Sequence, residues 1–157
     1  MSMIMVIYYS KTGNTKTMAE YVAQGVKDAG AEVILKAVKD VKVEEMLDAD
    51  GIILGSPTYY GHSAGILRSF LDESVKLHGK LAGKVGGAFA SSANIGGGNE
   101  TTVLDIIHAL LIHGMIVAGE SKGDHYGPVA IGKPDEKVRK RCLILGKSVA
   151  ELAEKLA

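Results

Sequence analysis

Apolar residues in this chain come in short continuous runs, each followed by a stretch in which they recur every three or four positions. The first run, residues 3–9, is apolar without alternation, which predicts a strand covered on both faces. Met18, Tyr21, Val22, Gly25, Val26 and Ala29 then share one face of a helix that stops near Gly30. Residues 32–38 predict a second strand, at a sheet edge because Lys36 interrupts it. A short helix over 43–49 leads to a third strand at 51–55. Ile66, Leu67, Phe70 and Leu71 mark another helix, with Ser63 as its expected N-cap. Residues 85–90 predict a fourth strand, although two glycines weaken it. Val103, Ile106, Ile107, Leu110 and Leu111 form the next helical face, ended by Gly114, and 115–118 predict a fifth strand. The last helix is expected to start near Pro134 as a first-turn proline. Its stripe is Val138, Cys142, Leu145, Val149, Leu152 and Leu156, which suits packing on a sheet better than a coiled coil.

Five strands alternating with helices predict an α/β fold with a doubly wound, five-stranded parallel sheet. Right-handed crossovers leave few topologies, and the order 2-1-3-4-5 is the expectation. In that order ligands bind beyond the strand carboxyl ends, at the switch point between strands 1 and 3. No linker, internal repeat or low-complexity segment interrupts residues 1–157, so a single domain is expected.

Composition removes several classes of function. Lys plus Arg number 18 and Asp plus Glu number 18, so the neutral chain has no electrostatic footprint for nucleic acid or an anionic membrane. The one cysteine, Cys142, cannot form an intrachain disulfide, and no Cys/His spacing predicts a metal site. The N-terminus lacks a basic leader, and no apolar stretch is long enough for a bilayer span. A cytoplasmic protein that binds neither nucleic acid nor membrane is expected.

Three loops follow strands 1, 3 and 4, and all three are unusual. The first is Ser10, Lys11, Thr12, Gly13, Asn14 and Thr15, with three hydroxyls and an amide in six positions. Gly13 permits a tight turn, and Asn14 or Thr15 can cap the following helix. A helix N-terminus offers unpaired N–H groups and partial positive charge, which suits a phosphate. A capped turn that binds nothing is the alternative. Neither GxxxxGK[ST] nor GxGxxG is present, so a monophosphate nucleotide fits better than a di- or triphosphate.

The second loop contains Ser56, Pro57, Thr58, Tyr59, Tyr60, Gly61, His62 and Ser63. Two adjacent tyrosines are costly to expose, and a flat aromatic ligand would give one a stacking partner. The alternative is that both pack against the protein. The third loop begins Ser91, Ser92, Ala93, Asn94 and Ile95, and continues with Gly96, Gly97, Gly98 and Asn99. Consecutive glycines let backbone amides approach a ligand closely, or make a flexible surface loop. His125 and Tyr126, after strand 5, form either a rim over the ligand or an ordinary turn. His78 reads as a surface loop residue, and His108 and His113, on or beside a helix, as structural. No carboxylate pair, Ser-His-Asp set or metal cluster emerges, so no catalytic side chain is assigned.

These segments resemble the flavodoxin superfamily, and most of all the WrbA-type NAD(P)H:quinone oxidoreductases. The similar stretches are VIYYSKTGNTKTMAEYVAQGV, GSPTYYGHSAGILRSFLD, ASSANIGGGNETT and HGMIVAG, with HYGPVAIGKPDE weaker. The resemblance implies a flavodoxin-like fold and FMN, with the phosphate on Ser10 to Thr15. It implies ring contacts from Thr58, Tyr59 and Tyr60, flanked by Pro57 and Gly61. It places Ser92, Ala93, Asn94, Ile95, Gly96 and Gly97 along the ring's polar edge and dimethylbenzene side. It also implies electron transfer from NAD(P)H to a quinone or similar acceptor, in a homodimer or homotetramer.

The chain departs from that family in three respects. It is shorter between strands 2 and 3 and after strand 5. It has no tryptophan, and Ile112-His113-Gly114 stands where relatives often have His-His-Gly, so His113 is given no flavin role. A flavodoxin-type electron carrier that docks to redox proteins is the competing function. Carriers of that kind are usually strongly acidic, whereas residues 56–63 and 91–99 hold no Asp or Glu. A receiver-like signalling module needs acidic residues after strand 1, and Ser10 to Thr15 has none.

Overall fold

The computed structural model describes residues 1–157. Strands β1 (Met3–Tyr8), β2 (Glu32–Ala37), β3 (Gly51–Tyr59), β5 (Val85–Ser92) and β6 (Ile116–Val117) form one parallel sheet in the order β2-β1-β3-β5-β6. This matches the expected 2-1-3-4-5 once β4 (His62–Ser63), which pairs antiparallel with the end of β3, is set aside. The helices are α1 (Asn14–Asp28), α2 (Gly65–Glu73), α3 (Asn99–Ile112) and α4 (Glu136–Leu156).

Alternation along the central strands splits the core into two layers. Ile4 and Val6 of β1, with Ile53 of β3 and Phe89 of β5, pack under α1 and α4. Met5 and Ile7, with Ile52, Leu54 and Ala88, pack under α2 and α3. Both faces of the sheet are covered, which is why these strands read as unbroken apolar runs. The α4 stripe lies on α1 and the sheet, with Cys142 fully buried, and not in a coiled coil. Gly25 and Gly146 let α1 and α4 cross at backbone contact. A Cβ at Gly146 would lie 2.0 Å from the Val22 carbonyl oxygen, and one at Gly25 2.1 Å from that of Leu143.

Five expectations need correction. Strand β3 continues to Tyr59 instead of stopping at 55, so the second loop is a strand end plus a hairpin. Pro57 is tolerated there because β1 has ended. The Gly55 carbonyl accepts the last bond from that side, from Tyr9 N–H, and the N–H that Pro57 lacks would face the same open side. Strand β5 likewise runs on through Ser91 and Ser92, so the third loop begins at Ala93. The fifth position in the sheet is split: β6 pairs with Val85 and Gly86, and β7 (Val129–Ile131) pairs with Ala90 to Ser92. Ser63 does not cap α2; Ala64 holds that position, and the Ser63 side chain turns to Asp105. Pro134 precedes the N-cap of α4, which is Asp135, whose carboxylate accepts from Val138 N–H at 2.9 Å.

Candidate functional site

The loop after β1 is a tight turn closed by its own side chain, with Ser10 Oγ accepting from Gly13 N–H at 3.1 Å. Gly13 has φ of +105° and is the N-cap of α1. A residue with a Cβ would be strained there. No side chain caps this helix, so neither Asn14 nor Thr15 takes the capping role anticipated for it. The first amide returned to the helix is that of Thr17, to the Gly13 carbonyl at 3.0 Å. The amides of Asn14, Thr15 and Lys16 therefore lie at an open, electropositive helix end. The turn opens onto a trough whose lining includes Ser10, Lys11, Thr12, Lys16, Lys39 and Asp40. The lining carries three lysines and one aspartate, a local positive excess in a neutral chain. Thr15 is buried, and its hydroxyl lies 2.8 Å from Ser91 Oγ. It ties the first loop to the end of β5, while its backbone N–H stays with the helix end.

The second element is a β-hairpin. Tyr59 pairs with His62, leaving Tyr60 and Gly61 as a two-residue turn with φ of +49° and +82°. Positive φ at both positions is the signature of a type I′ turn. Tyr60 is the one non-glycine residue with positive φ in the chain, and it is fully exposed. Such a conformation costs about 1 kcal/mol for a residue with a side chain. The structure holds it with neighbours on α3. Thr101 Oγ1 donates to the Gly61 carbonyl at 2.6 Å, and Thr102 Oγ1 donates to Thr58 Oγ1 at 3.0 Å. Gly98 lies so close that a Cβ there would sit 2.6 Å from Gly61 Cα. Tyr59 is partly exposed and meets Tyr9 edge-on, with ring centroids 6.3 Å apart. Partial burial, and then the neighbouring Tyr9 hydroxyl, push the Tyr59 phenol above its usual range.

The third element leaves β5 at Ser92. Asn94 closes a turn by accepting from Gly97 N–H on its carbonyl at 3.2 Å. Ala93, Asn94, Ile95 and Gly96 are exposed, and Ile95 presents an apolar side chain to solvent. Ser92 is buried, and its Oγ accepts from Asn99 Nδ2 at 3.2 Å, which fixes the loop to the start of α3.

The structure brings all three segments to the carboxyl edge of the sheet. Thr15 meets Ser91, Tyr9 meets Tyr59, and Gly61 meets Gly98. Residue-by-residue reading missed Tyr9, Lys16, Lys39, Thr101, Thr102 and Asp105. Tyr9 and Lys16 border the first loop directly, while the places of Lys39, Thr101, Thr102 and Asp105 depend on contacts between elements far apart in the chain. His125 and Tyr126 lie on the segment joining β6 to β7 and share a small pocket with Glu100 and Val103 of α3. His113 stands apart from the site. It is buried, and its Nε2 lies 2.8 Å from Ser74 Oγ. No helix is long and apolar enough to cross a membrane.

Comparison with known proteins gives a consistent picture. A family profile described as "Flavodoxin domain" matches residues 5–95. An Archaeoglobus fulgidus protein named NAD(P)H dehydrogenase (quinone) is 37% identical, over 99% of this chain and 100% of that protein. An Aquifex aeolicus protein named flavodoxin is 39% identical, over 96% of this chain and 86% of that protein. Among solved structures, a flavodoxin, WrbA-like protein from Agrobacterium tumefaciens covers all of both chains, with a TM-score of 0.85 and 28% identity.

Proposed function

The chain belongs to the flavodoxin family, and from that premise we propose that it is an FMN-dependent oxidoreductase passing electrons from NAD(P)H to a quinone or similar acceptor. The observation that carries this reading is one sheet edge that joins an uncapped helix N-terminus to a strained, fully exposed tyrosine. The first suits a phosphate and the second a flat aromatic ring.

The residues fit FMN. The Asn14, Thr15 and Lys16 amides, with the Ser10 and Thr12 hydroxyls, would hold the phosphate. Lys11, Lys16 and Lys39 would offset its charge at the edge of the trough. Tyr59 and Tyr60 would orient the ring, held by Thr58, Pro57 and Gly61 of the hairpin. The backbone of 92–97 would face the ring's polar edge. Gly96 is exposed and has φ of +72°, a conformation that favours glycine. FMN held there would supply the redox chemistry of hydride and electron transfer. The protein would supply placement and the positive charge that receives the phosphate.

Relatives named NAD(P)H dehydrogenase (quinone) support the donor and acceptor, at 37% identity in A. fulgidus and 42% in Sinorhizobium fredii. The A. aeolicus relative named flavodoxin keeps an electron carrier as the second reading. Anaerobic titration separates the two. The purified protein, loaded with FMN, should bleach in the visible on adding NADH or NADPH and recover its colour with a benzoquinone. FMN uptake without bleaching would leave the carrier, and no uptake of FMN would refute both. FMN should also bind much more tightly than riboflavin, which lacks the phosphate. Homodimer or homotetramer assembly and a cytoplasmic location complete the proposal. Light scattering tests the first. A single buried cysteine fits the reducing compartment of the second.

A further inference from the structure

The Tyr60–Gly61 turn is not held by its own strands. Strand β4 is two residues long, and an isolated hairpin of that size is marginal in water. Tyr60 adds the cost of its positive φ. Something outside the hairpin must fix it, and the neighbouring face of α3 does so. Thr101, Thr102 and Asp105 lie at i, i+1 and i+4 on that face. The two threonines take the tip and the outgoing strand. Asp105 takes the returning strand: its Oδ2 accepts from Ser63 N–H at 3.1 Å and from Ser63 Oγ at 2.5 Å. Its Oδ1 accepts from Arg68 Nη1 of α2 at 3.1 Å. The Asp105 side chain is four-fifths buried, and these are the charge-assisted bonds of the network.

We infer that Asp105 is a positioning residue for the flavin reaction, setting the pose of Tyr59 and Tyr60 through Ser63. This rests on the flavin reading above. The carboxylate meets the Ser63 backbone and side chain with one oxygen and anchors itself to α2 with the other. The returning strand is thus fixed to two helices. Removing the charge loosens the strand at its base, and the turn that carries Tyr60 loses its pose without losing a single atom that touches the ligand.

The test uses the full chain loaded with FMN. Asp105→Asn keeps the shape but replaces one acceptor oxygen with a donor nitrogen. Ser63→Ala removes one of the two donors and leaves α3 intact. Asp135→Ala, at the N-cap of α4, serves as a control that loses stability through a cap outside the site. The readouts are FMN fluorescence in the bound state, FMN affinity and the rate of bleaching by NAD(P)H. Both site variants should bind FMN about threefold or more weakly and release bound-flavin fluorescence from tyrosine quenching. The bleaching rate should change with them. Asp135→Ala should lower the melting temperature and move none of the three. Bound-flavin fluorescence and bleaching rate unchanged in Asp105→Asn and Ser63→Ala would overturn the inference, as would equal changes in the control. If Asp105→Asn does not fold, Ser63→Ala decides. Failure of the wild-type chain to take up FMN is a separate result, and it overturns the flavin reading itself.

Discussion

The α1–α4 crossing makes a sharp prediction about Gly146. Replacing it with alanine gains about 1 kcal/mol of helix propensity, so a surface helix would be stabilised. Here the new Cβ would lie 2.0 Å from the Val22 carbonyl oxygen, 2.9 Å from the Val26 nitrogen and 3.0 Å from the Val22 carbonyl carbon. All three are backbone atoms of α1, so no side chain can swing aside. Restoring ordinary contact requires the two helices to separate by about 1 Å or more, enough to forfeit a quarter to a half of the dispersion energy of each facing pair. The seam includes Val22, Val26, Cys142, Val149, Ala150 and Ala153, all buried. Overpacking of this kind costs about 3 kcal/mol, and the propensity gain offsets about 1. Gly146→Ala should therefore lose about 2 kcal/mol, or about 4–8 °C in melting temperature for a chain of this size. Gly25→Ala should behave alike, its Cβ being 2.1 Å from the Leu143 oxygen. The double variant should lose less than the sum, because one separation relieves both clashes. Gly65→Ala, on α2 with no atom near its Cβ position, should be neutral or slightly stabilising. Urea melts followed by circular dichroism measure all four. A neutral or stabilised Gly146→Ala would refute the backbone-contact argument.

Three further outcomes follow from single residues. Tyr60→Asn should raise stability by about 1 kcal/mol in thermal melts, since asparagine tolerates positive φ, while weakening FMN binding; a loss of stability would mean that Tyr60 is not strained. His113 has Nδ1 buried without a hydrogen-bond partner; burial first, and His78 nearby, hold it below the ordinary imidazole value of 6.5. The unfolded chain then binds more protons, so stability should fall as pH drops below about 6.5, and His113→Gln should flatten that fall in urea melts at pH 7 and pH 5. Parallel pH curves for the two proteins would contradict it. Burial, with a smaller contribution from Asp124, pushes the Cys142 thiol up to about 12, so a thiol reagent at pH 8 should react only after urea unfolds the chain.

Local pattern carried much of this molecule. The unbroken apolarity of β1 announced a strand buried on both faces, and the i, i+3, i+4 spacing of Met18, Tyr21 and Val22 announced α1. The alternation of strands and helices then left few sheet orders to consider, and the observed order is the expected one. The hydroxyl-rich turn at Ser10 to Thr15 was legible because its chemistry is local: a glycine, small donors and the start of a helix. Other features were not local. Pro57 reads as the start of a loop, yet it sits in a strand because β1 has ended beside it. Val129 to Ile131 is too short a run to stand out, and it becomes a strand because the exposed edge of β5 is there to pair with. Ser63 and Thr15 look like helix caps, but each finds a better partner across the fold, Asp105 and Ser91. The sequence by itself determined the five main strands, the helices between them and which loops meet at one edge, because periodicity and turn chemistry act within a few residues. Only the tertiary structure decided which hydroxyl faces the ligand trough, which holds a turn, and why a tyrosine remains at positive φ. Those outcomes depend on hydrogen bonds and contacts between residues some 40 to 76 positions apart, and no local pattern encodes them.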